Sequence, residues 1–192
     1  MFARGFKTWC ETCALLQRRR LQLKPTDPLD PTRLAGLLRV GIHTAAEVPG
    51  LDAESLAILR RDSGSWSAVT ISDGIRHVII VNPLHSKGRT SSDTMHELAH
   101  VLRGHTPARI DITEDGSLIL NTYDRDQEDE ANWLAGCLLL PREALLHIRG
   151  ARSDLSSAAT HYGVSMDLLT YRMNITGVET QFRRARRSAR SA

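Results

Sequence analysis

Five consecutive residues, His96-Glu97-Leu98-Ala99-His100, constrain this chain more than any other segment. Two histidines four positions apart act together only if the backbone between them is helical, because i and i+4 then share one face, a turn apart. The flanks agree with that requirement: Met95, Leu98, Ala99, Val101 and Leu102 give the helix an apolar surface to bury. On such a helix both imidazoles reach one metal ion, while Glu97, rotated by about 100°, is placed to hold a water rather than to ligate strongly. Burial suits the chemistry, since metal ligands need fixed rotamers. The plain alternative is a core helix with two incidental histidines.

A catalytic zinc site takes three protein ligands and keeps a fourth position open. The metzincin extension is excluded, because Arg103 and Thr106 stand where its glycine and histidine belong. His105 lies one place too early and reads as an ordinary surface or cap histidine. A glutamate from a downstream helix is the other source, and Glu128-Asp129-Glu130-Ala131-Asn132-Trp133-Leu134-Ala135 offers two. With Glu128 as ligand, Ala131, Asn132 and Ala135 share its face, so the two helices can approach closely. Asn132 can then accept a hydrogen bond from the far nitrogen of a ligand histidine. Glu130 is the rival ligand, on a face that also carries Trp133, Leu134 and Cys137 and reads as core.

The remaining pattern is helical with short strands. A helix is expected over 6–20, with Trp9, Cys13 and Leu16 at helical spacing, broken by the proline-rich stretch 24–31. Asp30 before Pro31 is an N-cap with proline at the first helical position, giving a helix to Arg39 that Gly41 stops. Another short helix is expected over 51–61. Residues 66–71 and 77–82 read as two strands turned at Asp73-Gly74, and 109–112 and 118–121 as a second hairpin turned at Asp115-Gly116. Between them, Ser92 or Asp93 caps the metal helix, which runs to Arg103. A further helix spans Asp126 to Leu139, closed by Pro141. Two short helices around Tyr162-Gly163-Val164-Ser165 fill 153–176. Strand 118–121 is either an edge that accepts substrate backbone or an internal strand.

His96 to His100, followed by E-x-E-A-N-x-x-A-x-x-L-L-x-P from Glu128 to Pro141, resembles the ImmA/IrrE family of zinc metallopeptidases. Val81-Asn82-Pro83, Arg89, Tyr162-Gly163-Val164-Ser165 and Tyr171-Arg172-Met173 extend the likeness over about 60–177. The resemblance implies zinc held by His96, His100 and Glu128, with Glu97 as catalytic base. It also implies a protein substrate, a helix-turn-helix repressor whose cleavage derepresses stress-response or mobile-element genes. Asp129 and the Gly136-Cys137 pair depart from the family pattern without touching the expected ligands. Longer members that this chain resembles carry a sensor-like C-terminal domain, which is not expected in a chain of this length.

Charge and cysteine content set the remaining limits. The formal net charge of +3 is unevenly spread. Arg18, Arg19 and Arg20 sit together near the start, Arg183, Arg184, Arg186, Arg187 and Arg190 crowd the end, and acidic residues 124–130 lie between. The basic balance therefore reports the ends, not a nucleic-acid-binding core. Three cysteines, Cys10, Cys13 and Cys137, have no disulfide-framework spacing, and Cys10-Glu11-Thr12-Cys13 lacks a second pair to complete a metal site. With no apolar run of membrane-spanning length and no secretory leader, a reduced, cytoplasmic protein is expected.

Residues 156–165 have the rhythm of a helix-turn-helix, yet the second helix opens on Met166, Asp167, Leu168 and Leu169, which suit packing better than base readout. Tyr123, His147, His161 and Tyr171 are of a type that stabilises an oxyanion, and nothing singles one out. The fold expected is α+β: a mainly helical zinc-peptidase domain with a small antiparallel sheet, followed by the helix-turn-helix-like pair. The expected divisions are an N-terminal helical segment (1–50), the peptidase core (51–150), the helix pair (151–177) and a basic disordered tail (178–192). The competing reading is a non-catalytic DNA- or repressor-binding regulator that retains the metal site.

Overall fold

Helix α1 (Phe6–Arg20) packs against a later helix, α4 (Arg125–Leu139), and these two enclose much of the core. The computed structural model describes residues 2–47, 57, 66–72, 76–105, 109–112, 118–121, 124–151 and 153–188. The buried face of α1 carries Phe6, Cys10, Cys13, Ala14, Gln17 and Arg18, whereas Trp9 and Leu16 are exposed. The expected stripe through Trp9, Cys13 and Leu16 is thus rotated. The buried face sets the smaller Cys10, Cys13 and Ala14 between Phe6 and Arg18, and small residues there admit close helix packing.

Helix α2 (Pro31–Leu38) begins as expected, with the Asp30 carboxylate accepting from the Thr32 N–H at 2.7 Å and proline in the first turn. Arg39 then adopts the left-handed conformation and the chain enters a strand, β1 (Gly41–Thr44), where the sequence suggested only a stop. The expected hairpin is present as β2 (Ala68–Ser72) and β3 (His77–Val81), paired antiparallel with Ala68 opposite Val81 and Ser72 opposite His77. β1 adds to the other side of β3 in parallel, Gly41 opposite Val78, so the sheet has the order β1-β3-β2. This corrects the expected wholly antiparallel sheet to a mixed one. The α+β class stands.

Helix α3 (Lys87–Arg103) packs against β2 and β3 of this sheet and carries His96, Glu97 and His100. Its N-cap is Ser86, whose hydroxyl accepts from the Arg89 N–H, not Ser92 or Asp93. The extra turn is kept in spite of Gly88 because the turn between two later helices packs on it. A Cβ at Gly88 would lie 3.8 Å from the Val164 carbonyl carbon.

The second hairpin matches expectation, β4 (Arg109–Ile112) pairing antiparallel with β5 (Leu118–Asn121). Among the described residues β5 has no other strand partner. The helix expected over 51–61, apart from position 57, and both hairpin turns lie outside the described residues.

After α4 come α5 (Arg142–Gly150), α6 (Leu155–Tyr162) and α7 (Met166–Ile175). Gly163 closes α6 in the left-handed region, and the Ser165 hydroxyl caps α7 by accepting from the Leu168 N–H. Ala158, Ala159, Tyr162, Leu169 and Met173 join the same hydrophobic cluster as Phe6, Leu98 and Leu134. The chain then continues as α8 (Val178–Ser188), where a disordered tail was expected. Composition alone misled here. Val178 is fully buried, and Glu179 and Gln181 meet Arg149 and Arg142 of α5, so tertiary contacts hold a segment whose arginines would otherwise keep it solvated. No helix among the described residues is long and apolar enough to cross a membrane.

Candidate metal centre

The geometry of the centre follows from how α3 and α4 are anchored. Met95, Leu98 and Ala99 are completely buried and fix the rotation of α3, which leaves His96 and His100 on the side facing α4. Asp124 caps α4, accepting from the N–H groups of Asp126 at 2.9 Å and Gln127 at 3.3 Å, and this sets Glu128 in the first turn. Ala131 and Ala135 are buried on the contact face, which lets the helices come close.

The result is a convergence of donor atoms. His96 Nε2 lies 3.0 Å from His100 Nε2 and 3.1 Å from Glu128 Oε2, and His100 Nε2 is 3.4 Å from Glu128 Oε1. One ligand atom from each of the three residues falls within 4.8 Å of the others. His96 Nδ1 meets Asn132 Oδ1 at 3.0 Å. That oxygen accepts, so the proton belongs on Nδ1 and Nε2 keeps its lone pair. Burial, with His96 and His105 nearby, pulls His100 down to about 4, so it is a neutral imidazole at physiological pH. Two imidazole lone pairs and a carboxylate aimed at one point repel one another. A cation satisfies all three, and the donor set of two nitrogens and one oxygen fits zinc.

Glu97 points to the sheet. Its Oε2 accepts from the Thr70 hydroxyl of β2 at 2.5 Å. Burial pushes its carboxyl up, while the Thr70 bond and His96 pull it back and Glu128 and Asp93 push further. A carboxylate displaced towards neutrality is suited to take and return a proton.

Glu130, the rival ligand, is occupied elsewhere. Its Oε2 accepts from Arg103 Nε at 2.8 Å and lies 3.3 Å from His105 Nε2. His105, read as a surface or cap histidine, caps α3 through its N–H on the His100 carbonyl, and its side chain is only 7% exposed, with Nδ1 3.0 Å from His100 Nδ1. Gly104 was the overlooked signal, since a glycine after a helix takes a left-handed C-cap and swings the next residue back over the last turn. Thr70 was missed for another reason. Alternation in β2 would send the larger Val69 and Ile71 inwards, but Ile71 is exposed and Thr70 is buried against α3.

Of the side chains considered for oxyanion stabilisation, His147, His161 and Tyr171 are exposed on α5, α6 and α7, and Tyr123 lies outside the described residues. Cys10, Cys13 and Cys137 are buried free thiols.

Residues 51–174 match the IrrE N-terminal-like domain of peptidase M78, a span that includes the whole donor cluster. No curated protein matches the chain. Among solved structures, a Mycobacterium tuberculosis transcriptional regulator is similar, with a TM-score of 0.55 and 19% identity over 90% of this chain and 47% of that one. The chain spans about half the length of that relative, and the likeness is one of fold.

Proposed function

This chain belongs to the peptidase M78 family, and on that premise we propose that it is a zinc-dependent endopeptidase acting on a protein substrate. His96, His100 and Glu128 hold the metal and Glu97 is the general base. The observation that carries this reading is the convergence of three donor atoms whose repulsion a cation relieves. Zinc bound there supplies Lewis acidity, polarising a carbonyl and making a water more acidic. Glu97 takes the proton of the attacking water and delivers it to the leaving amine. Thr70, donating to Glu97 Oε2, leaves the other carboxylate oxygen for that transfer. Asn132 holds the His96 ring plane and its proton in place.

The substrate is a helix-turn-helix transcriptional repressor, as the family resemblance implies, and the three free thiols suit a reducing, cytoplasmic setting. The reading of a regulator that acts without cleavage draws on the α6–α7 pair and the basic helix α8. Against it, the exposed face of α7 is Met166, Asp167, Thr170, Tyr171, Asn174 and Ile175, which offers no arginine or lysine to a groove. The two are separated by measuring zinc in the purified chain and comparing repressor cleavage by wild type and Glu97→Gln. Loss of cleavage with zinc retained supports the enzyme. Full cleavage by the Gln variant removes Glu97 from the chemistry, and a zinc-free wild type favours the regulator.

A further inference from the structure

His100 and His105 face each other through their Nδ1 atoms at 3.0 Å. One proton lies between two imidazole nitrogens, so one ring donates and the other accepts. The far side of His105 decides which. There Nε2 meets Glu130 Oε2 at 3.3 Å, and a carboxylate only accepts, so in a neutral His105 the single proton belongs on Nε2. His105 Nδ1 is then the acceptor, and the shared proton sits on His100 Nδ1. With Nδ1 protonated, neutral His100 carries its lone pair on Nε2, the atom turned towards His96 and Glu128.

The far end of this chain is anchored. Arg103 donates to Glu130 Oε2 through Nε at 2.8 Å and also through Nη2. Its guanidinium carbon stands 4.9 Å from the Trp9 ring centre and 5.3 Å from that of Phe6, which ties the arrangement to α1. The backbone brings His105 into place: Gly104 takes φ of 66° and the His105 N–H donates to the His100 carbonyl at 3.1 Å.

We infer that Arg103, Glu130 and His105 form a directional hydrogen-bond chain that fixes the tautomer and ring plane of His100 for metal binding. His105 is a positioning residue, and its role rests on the ligand set proposed above. Glu130 serves the metal without touching it.

The test is zinc affinity of the full chain, by competition with a chromophoric chelator, for wild type, His105→Leu and His105→Gln. Thermal melts of the metal-free proteins control for folding. Leucine fills the space but accepts nothing, and the affinity is expected to fall about 10–100-fold with the metal-free melt retained. Glutamine offers an amide oxygen to the His100 Nδ1–H and restores most of the loss. Wild-type affinity in a folded His105→Leu overturns the inference, as does a glutamine variant no better than leucine. If wild type itself binds no zinc, the ligand set fails and the inference falls with it; a failure confined to the variants leaves the ligand set standing. Long-range proton–nitrogen correlations of the zinc-loaded wild type give an answer that needs no variant. A proton on His105 Nε2 supports the chain, and one on Nδ1 overturns it.

Discussion

At the N-terminal end of α4, the Glu128 carboxylate faces two histidine nitrogens and pairs with no arginine or lysine among the described residues. At the C-terminal end, two fully buried arginines meet the last carbonyls of the helix. Arg18 donates to Leu139 O and Ala14 O at 3.3 Å and to Asp27 O at 3.0 Å. Arg172 donates to Leu140 O through Nε at 3.2 Å and Nη2 at 3.0 Å, and Nη2 also reaches Glu11 Oε1 at 2.8 Å. Pro141 ends the helix there, and the cations answer both its orphan carbonyls and its dipole. Burial pulls Arg18 down to about 10, which still leaves it charged at neutral pH. The last carbonyls find cations within the chain; at the other end Asp124 caps the helix, but Glu128 has no arginine or lysine partner among the described residues. Side chains at the first end should matter to folding, and those at the second to what the protein binds.

The sharpest way to break that contrast is to remove one residue from each end. Glu128→Ala deletes a proposed ligand, so zinc affinity should fall by more than the ~100-fold that loss of a supporting residue costs. Its metal-free melting temperature should not drop, because the lost carboxylate had no cation to pair with. Arg172→Leu should do the reverse. It takes the cation from Glu11, which keeps the Arg142 N–H, and the donor from the Leu140 carbonyl, at a cost of about 3–5 kcal/mol in chemical denaturation, while the folded fraction keeps its zinc affinity. A variant that moves both quantities together would dissolve the distinction.

Gly136→Ala probes the arginine end more gently. A Cβ there would come to 3.0 Å of Arg172 Cδ, so the side chain must shift. Overpacking of about 1–3 kcal/mol is opposed by the better helix propensity of alanine, about 1 kcal/mol. A net loss of stability is expected, smaller than for Arg172→Leu. The smallest effect lies away from both ends, at the cap of α6. Asp154 accepts from the N–H and hydroxyl of Ser157, and these bonds hold its carboxyl below the ordinary aspartate value. A depressed carboxyl contributes stability above its unfolded pKa and loses it as pH falls through the folded one. The stability gap between wild type and Asp154→Ala should therefore narrow on acidification; a gap constant with pH would mean that the cap acts without its charge.

Much of this was legible in the sequence because its determinants are local. The Asp30-Pro31 start of α2, the Ser165 cap of α7 and both hairpins are set by residues next to one another in the chain. The donor cluster was legible too, since i, i+4 spacing in α3 and the small residues Ala131 and Ala135 beside Glu128 follow from helix periodicity. What was hidden depends on distant partners. β1 is four residues long and begins with Gly41; it exists by parallel pairing with Val78 to Val81, which no local pattern announces. α8 reads as a solvated basic end until Arg142 and Arg149 are seen to hold Gln181 and Glu179. Glu130 illustrates the same limit at the site. Its helical face separates it from Glu128, yet its contact with His105 needed the left-handed turn at Gly104.

The central claim, that α3 and the open end of α4 together hold a metal, is tested most directly by anomalous diffraction at the zinc edge on crystals of the zinc-loaded chain. The account predicts one anomalous peak within bonding distance of His96 Nε2, His100 Nε2 and a Glu128 carboxylate oxygen, with Glu130 still bonded to Arg103 and His105. A peak ligated by Glu130 or His105, or no peak between α3 and α4, would contradict it.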